Sequence, residues 1–293
     1  MVAMAHAHEN LRGISMKRSA PLVLTALLSL CVAPAQAQHQ LEQLWLTPDL
    51  PIPESVLYVA DKKEPYLFVS LIDGEGNVAD GQGGIATLTP EGQVIEKDWF
   101  TGLNAPKGMA VFNDRLYVAD LTELVVISIK KQKLIKKIPI ADSVFLNDVA
   151  VSTMGVVYVS DTRTNKVHRI ENDEPSLYLN NIPSANGLKV VGSNLVVGAG
   201  KELLIVGPDK QPLLLAKGFA QNIDGIEIAA RGEFIVSCWA GLVYYVYSDG
   251  RLELMIDSQA EKINTADIGF DANSRQVFIP NFLKNSVTAY QLK

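Results

Sequence analysis

Ala185-Asn186-Gly187-Leu188 is followed 38 residues later by Ile223-Asp224-Gly225-Ile226, and both have counterparts along the chain. The others are Pro53-Glu54-Ser55-Val56, Pro106-Lys107-Gly108-Met109, Leu146-Asn147-Asp148-Val149 and Ala266-Asp267-Ile268. Aligned on the apolar residue, the position two before it reads Glu54, Lys107, Asn147, Asn186, Asp224 and Ala266, with spacings of 53, 40, 39, 38 and 42 residues. A fixed period in this range is the mark of a repeat architecture, in which equal register means an equal place in each unit.

Further strands follow each of these segments. Leu67–Leu71, Arg115–Asp120, Val156–Asp161, Asn194–Gly198, Glu233–Ser237 and Gln276–Pro280 are β-branched and aromatic runs bounded by Gly, Asn and Asp. That composition specifies strands rather than helices. Third strands are expected at Gly84–Leu88, Leu124–Ser128, Lys166–Ile170, Leu203–Val206, Leu242–Val246 and Ser286–Gln291. Fourth strands are expected at Val94–Trp99, Leu134–Ile138, Ser176–Leu179, Pro212–Ala216 and Leu252–Ile256. No stretch after residue 37 has a convincing helical period. The sixth repeat lacks a fourth strand, and Gln40–Leu46 is placed to supply it. The pattern predicts an all-β, six-bladed β-propeller of four antiparallel strands per blade, its last blade closed by the N-terminal strand. Such closure removes exposed sheet edges.

Residues 1–37 read as a targeting segment. Met16-Lys17-Arg18 is a basic start, Pro21–Val32 is an apolar run too short to span a bilayer, and Ala35-Gln36-Ala37 is a cleavage signature. A Sec-type signal peptide starting at Met16 and cleaved after Ala37 implies a periplasmic or secreted bacterial protein. A single domain then runs from 38 to 293, long enough for a sizeable core. Cys31 goes with the leader, so Cys238 stands alone and no internal disulfide is expected. The formal charge is −6 with acidic and basic residues well mixed, which argues against nucleic acid or an anionic membrane surface as partner.

In a propeller the first strand of each blade lines the central channel. A polar residue at one register of that strand therefore points to one mouth of the channel, so the period defines a site. Glu54, Asn147, Asn186 and Asp224 would converge there. Two carboxylates and two amide oxygens form a hard oxygen cage, suited to one divalent cation, Ca²⁺ first, with Mg²⁺, Mn²⁺ or Zn²⁺ as alternatives. Asn and Asp before Gly also serve as ordinary turn residues, yet four at one register exceed what turns require. Lys107 at the same register either binds a substrate oxygen or lines a wet channel.

These residues carry a resemblance. The chain resembles the senescence marker protein/gluconolactonase family of six-bladed propellers through Glu54, Asn147 in Leu-Asn-Asp-Val, Asn186 in Ala-Asn-Gly-Leu, Asp224 in Asp-Gly-Ile, and the closing stretch 263–271. The resemblance covers essentially all of the region after residue 37. It implies that Glu54, Asn186 and Asp224 are metal ligands, and that Asn147 is a ligand or a substrate contact. It also implies metal-assisted hydrolysis of a small lactone or related ester, with Asp224 accepting a proton from the attacking water; in such a site Lys107 and Asp148 would orient the substrate's polar groups. Two departures stand out. The family usually begins Glu-Gly-Pro where this chain has Glu54-Ser55-Val56, and the histidines that related paraoxonases and diisopropyl fluorophosphatase place near the metal are missing. Only His39 and His168 follow residue 37, and His168 alternates on a third strand away from the channel. The other reading is a non-catalytic propeller that binds a ligand or protein around a structural metal. With Tyr and Trp sparse near the first strands, no aromatic platform for a large ligand is expected, and a small, polar, oxygen-rich substrate fits better.

Overall fold

The computed structural model describes residues 39–61 and 63–293, so the expected signal segment 1–37 lies outside the described residues. Within them, 24 strands form six four-stranded sheets, and the sheets are six antiparallel blades arranged in a ring. The innermost strands of the first five blades are Pro53–Val59, Pro106–Phe112, Leu146–Val151, Ala185–Val191 and Ile223–Ala230. In the sixth blade the order runs from Gly269–Asp271 inside, through Gln276–Asn281 and Ser286–Leu292, to Leu41–Thr47 outside. The N-terminal strand therefore closes the ring as the sequence predicts.

The hydrophobic core is divided among the blade boundaries. Six apolar clusters are present, and each draws its residues from two neighbouring blades. Phe68 and Ile85 of the first blade pack on Leu116 and Val118 of the second, and Phe278 of the sixth packs on Val69 of the first. A blade is thus covered on both faces. This is why the second strands read as nearly continuous apolar runs instead of alternating ones.

Two details depart from the sequence reading. The sixth inner strand was expected to begin at Ala266, but the regular strand is only Gly269–Asp271. The preceding residues pair sideways instead: Ser55 and Asp267 form a parallel bridge, with Val56 N–H donating to Asp267 O at 3.1 Å and Asp267 N–H to Glu54 O at 2.9 Å. The first and last blades are therefore sewn together at the channel wall as well as at the rim. A single 3₁₀ turn, Phe282–Lys284, follows the second strand of blade six where no helix was expected. No described helix is long and apolar enough to cross a membrane.

Candidate functional site

Every full-length inner strand carries an irregularity at the repeat position. The pairing register shifts between Pro53 and Ser55, Pro106 and Met109, Leu146 and Val149, Ala185 and Leu188, and Ile223 and Ile226. A bulge frees a residue from the ladder and re-aims its side chain, which turns Glu54, Lys107, Asn147, Asn186 and Asp224 toward one mouth of the channel. Buried side chains on the second strands hold the bulges. The hydroxyls of Ser70, Ser160 and Ser237 accept the amides of Ser55, Asp148 and Gly225 at 2.9, 2.9 and 2.8 Å. The approaches to two of the strands are held by carboxylates. Asp120 accepts the amides of Asn104 and Ala105, and Asp161 those of Val144 and Phe145.

The five polar residues line a single cavity of about 270 Å³, together with Ile72, Gly76, Phe145, Trp239 and Phe282. Glu54, Lys107, Asn147 and Asp224 are buried and Asn186 is partly buried. Asn186 Nδ2 donates to Asp224 Oδ1 at 3.0 Å, linking blades four and five. Glu54 Oε2, Asn147 Oδ1 and Asn186 Oδ1 are all buried with no hydrogen-bond partner among the described residues. Buried acceptors without partners are rare, and each calls for an explanation such as an ion or a water. Three of them around one cavity, beside the Asp224 carboxylate, are oxygen donors of the type a hard divalent cation takes. The fit depends on the amides, because no group of three or more His, Cys, Asp or Glu side chains is placed to hold a metal among the described residues.

Lys107 is fixed in place. Its Nζ donates to Ala105 O at 2.9 Å and to Gly76 O at 3.1 Å, and lies 4.5 Å from the centre of the Phe145 ring. An ammonium group has three hydrogens, so one remains for another acceptor. Burial lowers the Lys107 pKa, with Glu54 and Asp120 acting against it. Burial raises Glu54 well above the usual carboxylate range, with the Asp224 charge adding and Lys107 opposing. Asp224 is pushed up to about 8, first by burial and then by Asp267, while the Asn186 amide works the other way.

Asp148 is placed differently from the substrate contact the sequence suggests. It belongs to the next ring of the channel, made of Ser55, Gly108, Asp148, Gly187, Gly225 and Asp267, and it faces a separate cavity of about 320 Å³ beyond the first. Both its oxygens are engaged, one by Leu188 N–H and one by Val149 N–H, each at 2.6 Å. Asp267 Oδ2 likewise accepts the Ser55 hydroxyl at 2.5 Å. The glycines of this ring make room for the carboxylates and for the tight approach of the strands. A Cβ on Gly108 would meet Asp148, one on Gly225 would meet Asp267, and one on Gly187 would meet the Asp224 backbone carbonyl. Farther along the channel Lys189 and Glu227 pair at 2.6 Å.

Aromatic side chains nevertheless reach the mouth of the channel. Phe145, Trp239 and Phe282 come to the mouth from loops, not from first strands. Trp239 directly follows the second strand of blade five and Phe282 that of blade six, while Phe145 directly precedes the inner strand of blade three. Second strands run antiparallel to inner ones, so all three positions lie at the site end of their blades. That strand polarity was the signal available in the sequence. Cys238 and His168 are buried away from the cavity, and burial pushes the Cys238 thiol up to about 12, as suits an inert packing residue.

No protein-family model and no curated protein matches the sequence. Solved structures do match. A catalytically inactive virginiamycin B lyase from Staphylococcus aureus, with quinupristin, is 14% identical, with a TM-score of 0.62 over 87% of this chain and 100% of that one. A streptogramin B lyase is 12% identical, with a TM-score of 0.65 over 87% and 98%. A chain of a nidogen/laminin complex is 12% identical, with a TM-score of 0.61 over 71% and 86%. At these identities the likeness is one of architecture, and it shows that this chain has the fold of the lyase propellers.

Proposed function

We propose that the cavity is the active site of a divalent-metal-dependent hydrolase acting on a small lactone or related ester. The observation that carries this reading is the set of partnerless buried oxygens on Glu54, Asn147 and Asn186, converging with Asp224 from four blades. These four residues would hold the cation, Ca²⁺ before Mg²⁺, Mn²⁺ or Zn²⁺. Few protein oxygens in a fixed frame suit weak binding at the calcium levels outside cells, which agrees with the periplasmic or secreted location read from residues 1–37. A cation bound there would supply Lewis-acid polarisation of the substrate carbonyl.

The chain's own residues do the rest. Asp224 accepts a proton from the water that attacks the carbonyl carbon, and returns it to the departing alkoxide as the ester C–O bond breaks, giving a hydroxy acid. Its hydrogen bond from Asn186 fixes the carboxylate plane for that transfer. The remaining Lys107 N–H donates to a substrate oxygen, and its anchorage on Gly76 O and Ala105 O keeps it oriented without reorganisation. Asn147 serves as a ligand or a substrate contact.

The deciding experiment is metal analysis with calcium titration of the purified protein and of Asn186→Ala, alongside a screen of simple lactones and esters. One equivalent of divalent metal, lost in the variant, together with turnover, supports the reading. Bound metal without turnover of any ester leaves a ligand-binding propeller with a structural ion. A protein that binds no metal, and whose melting temperature ignores chelator, refutes the metallohydrolase altogether.

A further inference from the structure

The cavity has two chemically different halves. Its floor is the ring of Glu54, Lys107, Asn147, Asn186 and Asp224, and its wall is built from Ile72, Phe145, Trp239 and Phe282. The four apolar side chains come from the loops of blades one, three, five and six. None belongs to the clusters that join the blades. They are nevertheless held in place. The Phe145 ring lies against two cations, Lys107 Nζ at 4.5 Å and the Arg163 guanidinium at 4.3 Å from its centre. Trp239 and Phe282 meet edge to face with centroids 5.7 Å apart. Trp239 is 45% exposed and Leu283, next to Phe282, is 60% exposed, so the apolar surface runs from inside the cavity out over its lip.

We infer that the substrate is amphipathic: a lactone or ester whose carbonyl lies on the polar floor and whose alkyl or aryl substituent lies against Phe145, Trp239 and Phe282. This rests on the hydrolase reading above for the reacting group, and on the wall alone for the substituent. A polyhydroxylated lactone would turn its hydroxyls toward Ile72, Phe145 and Phe282, which offer no hydrogen bond, with the Trp239 indole N–H as the one donor of the wall, and stranded polar groups are penalised. At about 270 Å³ the cavity lies just under the usual range for small-molecule pockets. It suits a small ring with a short substituent, longer ones passing over Trp239 to solvent. With each buried methylene contributing about fourfold, a four-carbon chain is expected to raise kcat/KM or affinity on the order of 100-fold.

The test uses calcium-saturated protein and two matched series. Hydrolysis is measured on an unsubstituted five-membered lactone, its butyl derivative and a polyhydroxylated analogue. Binding of the corresponding unreactive lactams is measured by calorimetry. The expected result is a preference for the butyl member, falling about tenfold in Trp239→Ala and again in Phe282→Ala; both residues sit on loops, so the blades should survive the change. Such a preference in lactam binding, with no lactone hydrolysed, supports the inference and sinks only the hydrolase reading. Equal or better handling of the polyhydroxylated member overturns the inference and spares the hydrolase. A butyl preference untouched by both variants, or no discrimination in either series, also overturns it.

Discussion

Two rings of side chains, adjacent in sequence and stacked along the channel, use similar residues for different ends. In the ring of Ser55, Asp148 and Asp267, every carboxylate has a donor of its own: Leu188 and Val149 amides for Asp148, and the Ser55 hydroxyl for Asp267. In the ring of Glu54, Asn147, Asn186 and Asp224, three oxygens have none. Burial raises the pKa values of acids in both rings. Satisfaction by hydrogen bonds, rather than charge or burial, separates a ring that fastens blades from a ring left open for a ligand. A carboxylate at the channel axis is not by itself a sign of chemistry, and Asp148 shows why.

The comparison breaks most visibly at Asp224. On the proposed reading, truncation to Ala would remove a ligand and the proton acceptor together, and should lower kcat/KM at least about 1,000-fold in steady-state assays. The same variant, melted in chelator, should be no less stable than the parent, because the carboxylate it removes is buried with little compensation. Asp148→Ala should do the reverse. It strands two buried amides at roughly 1–3 kcal/mol each, so chemical denaturation should show a loss of about 3 kcal/mol, while metal stoichiometry stays at that of the parent. A Cβ at Gly187 presses on the Asp224 carbonyl, so Gly187→Ala should cost about 2 kcal/mol and loosen calcium binding, both measurable in one thermal titration.

A pH effect follows from the acids of both rings. Asp224 is held at about 8 and Asp267 at about 7, chiefly by burial, against an ordinary value of 3.8. Across that window the unfolded chain has released protons that the folded protein retains. Stability in chelator is therefore fully present below pH 3.8 for these two groups and declines as pH rises through 7 and 8. Melting curves at pH 5 and pH 8 should differ in that direction. On the proposed reading, added calcium should raise the pH 8 value more than the pH 5 value, since it would bind the deprotonated Asp224 carboxylate. A chelated protein that grows more stable toward pH 8 would overturn the account of the acids in both rings.

Much of this was legible in the sequence because a repeat reports itself. The spacing of Glu54, Lys107, Asn147, Asn186 and Asp224 fixed both the blade count and the common register, and all five do line one cavity. Asp148 lines a different cavity from its neighbour Asn147, one residue away, because the bulge between Leu146 and Val149 separates the two. A local register shift has no signature in composition. Phe145, Trp239 and Phe282 were missed for another reason: they are separated by 94 and 43 positions and share no register with the repeat.

Alternation, period and turn chemistry determined the six blades, the closing strand and the side chains that approach the axis, because each is a property of a short segment and its copies. Tertiary structure alone decided which polar groups would find partners, and which aromatic side chains would form the wall over them. Both depend on distances between blades, and those are set only when the apolar faces of all six have packed and the ring has closed.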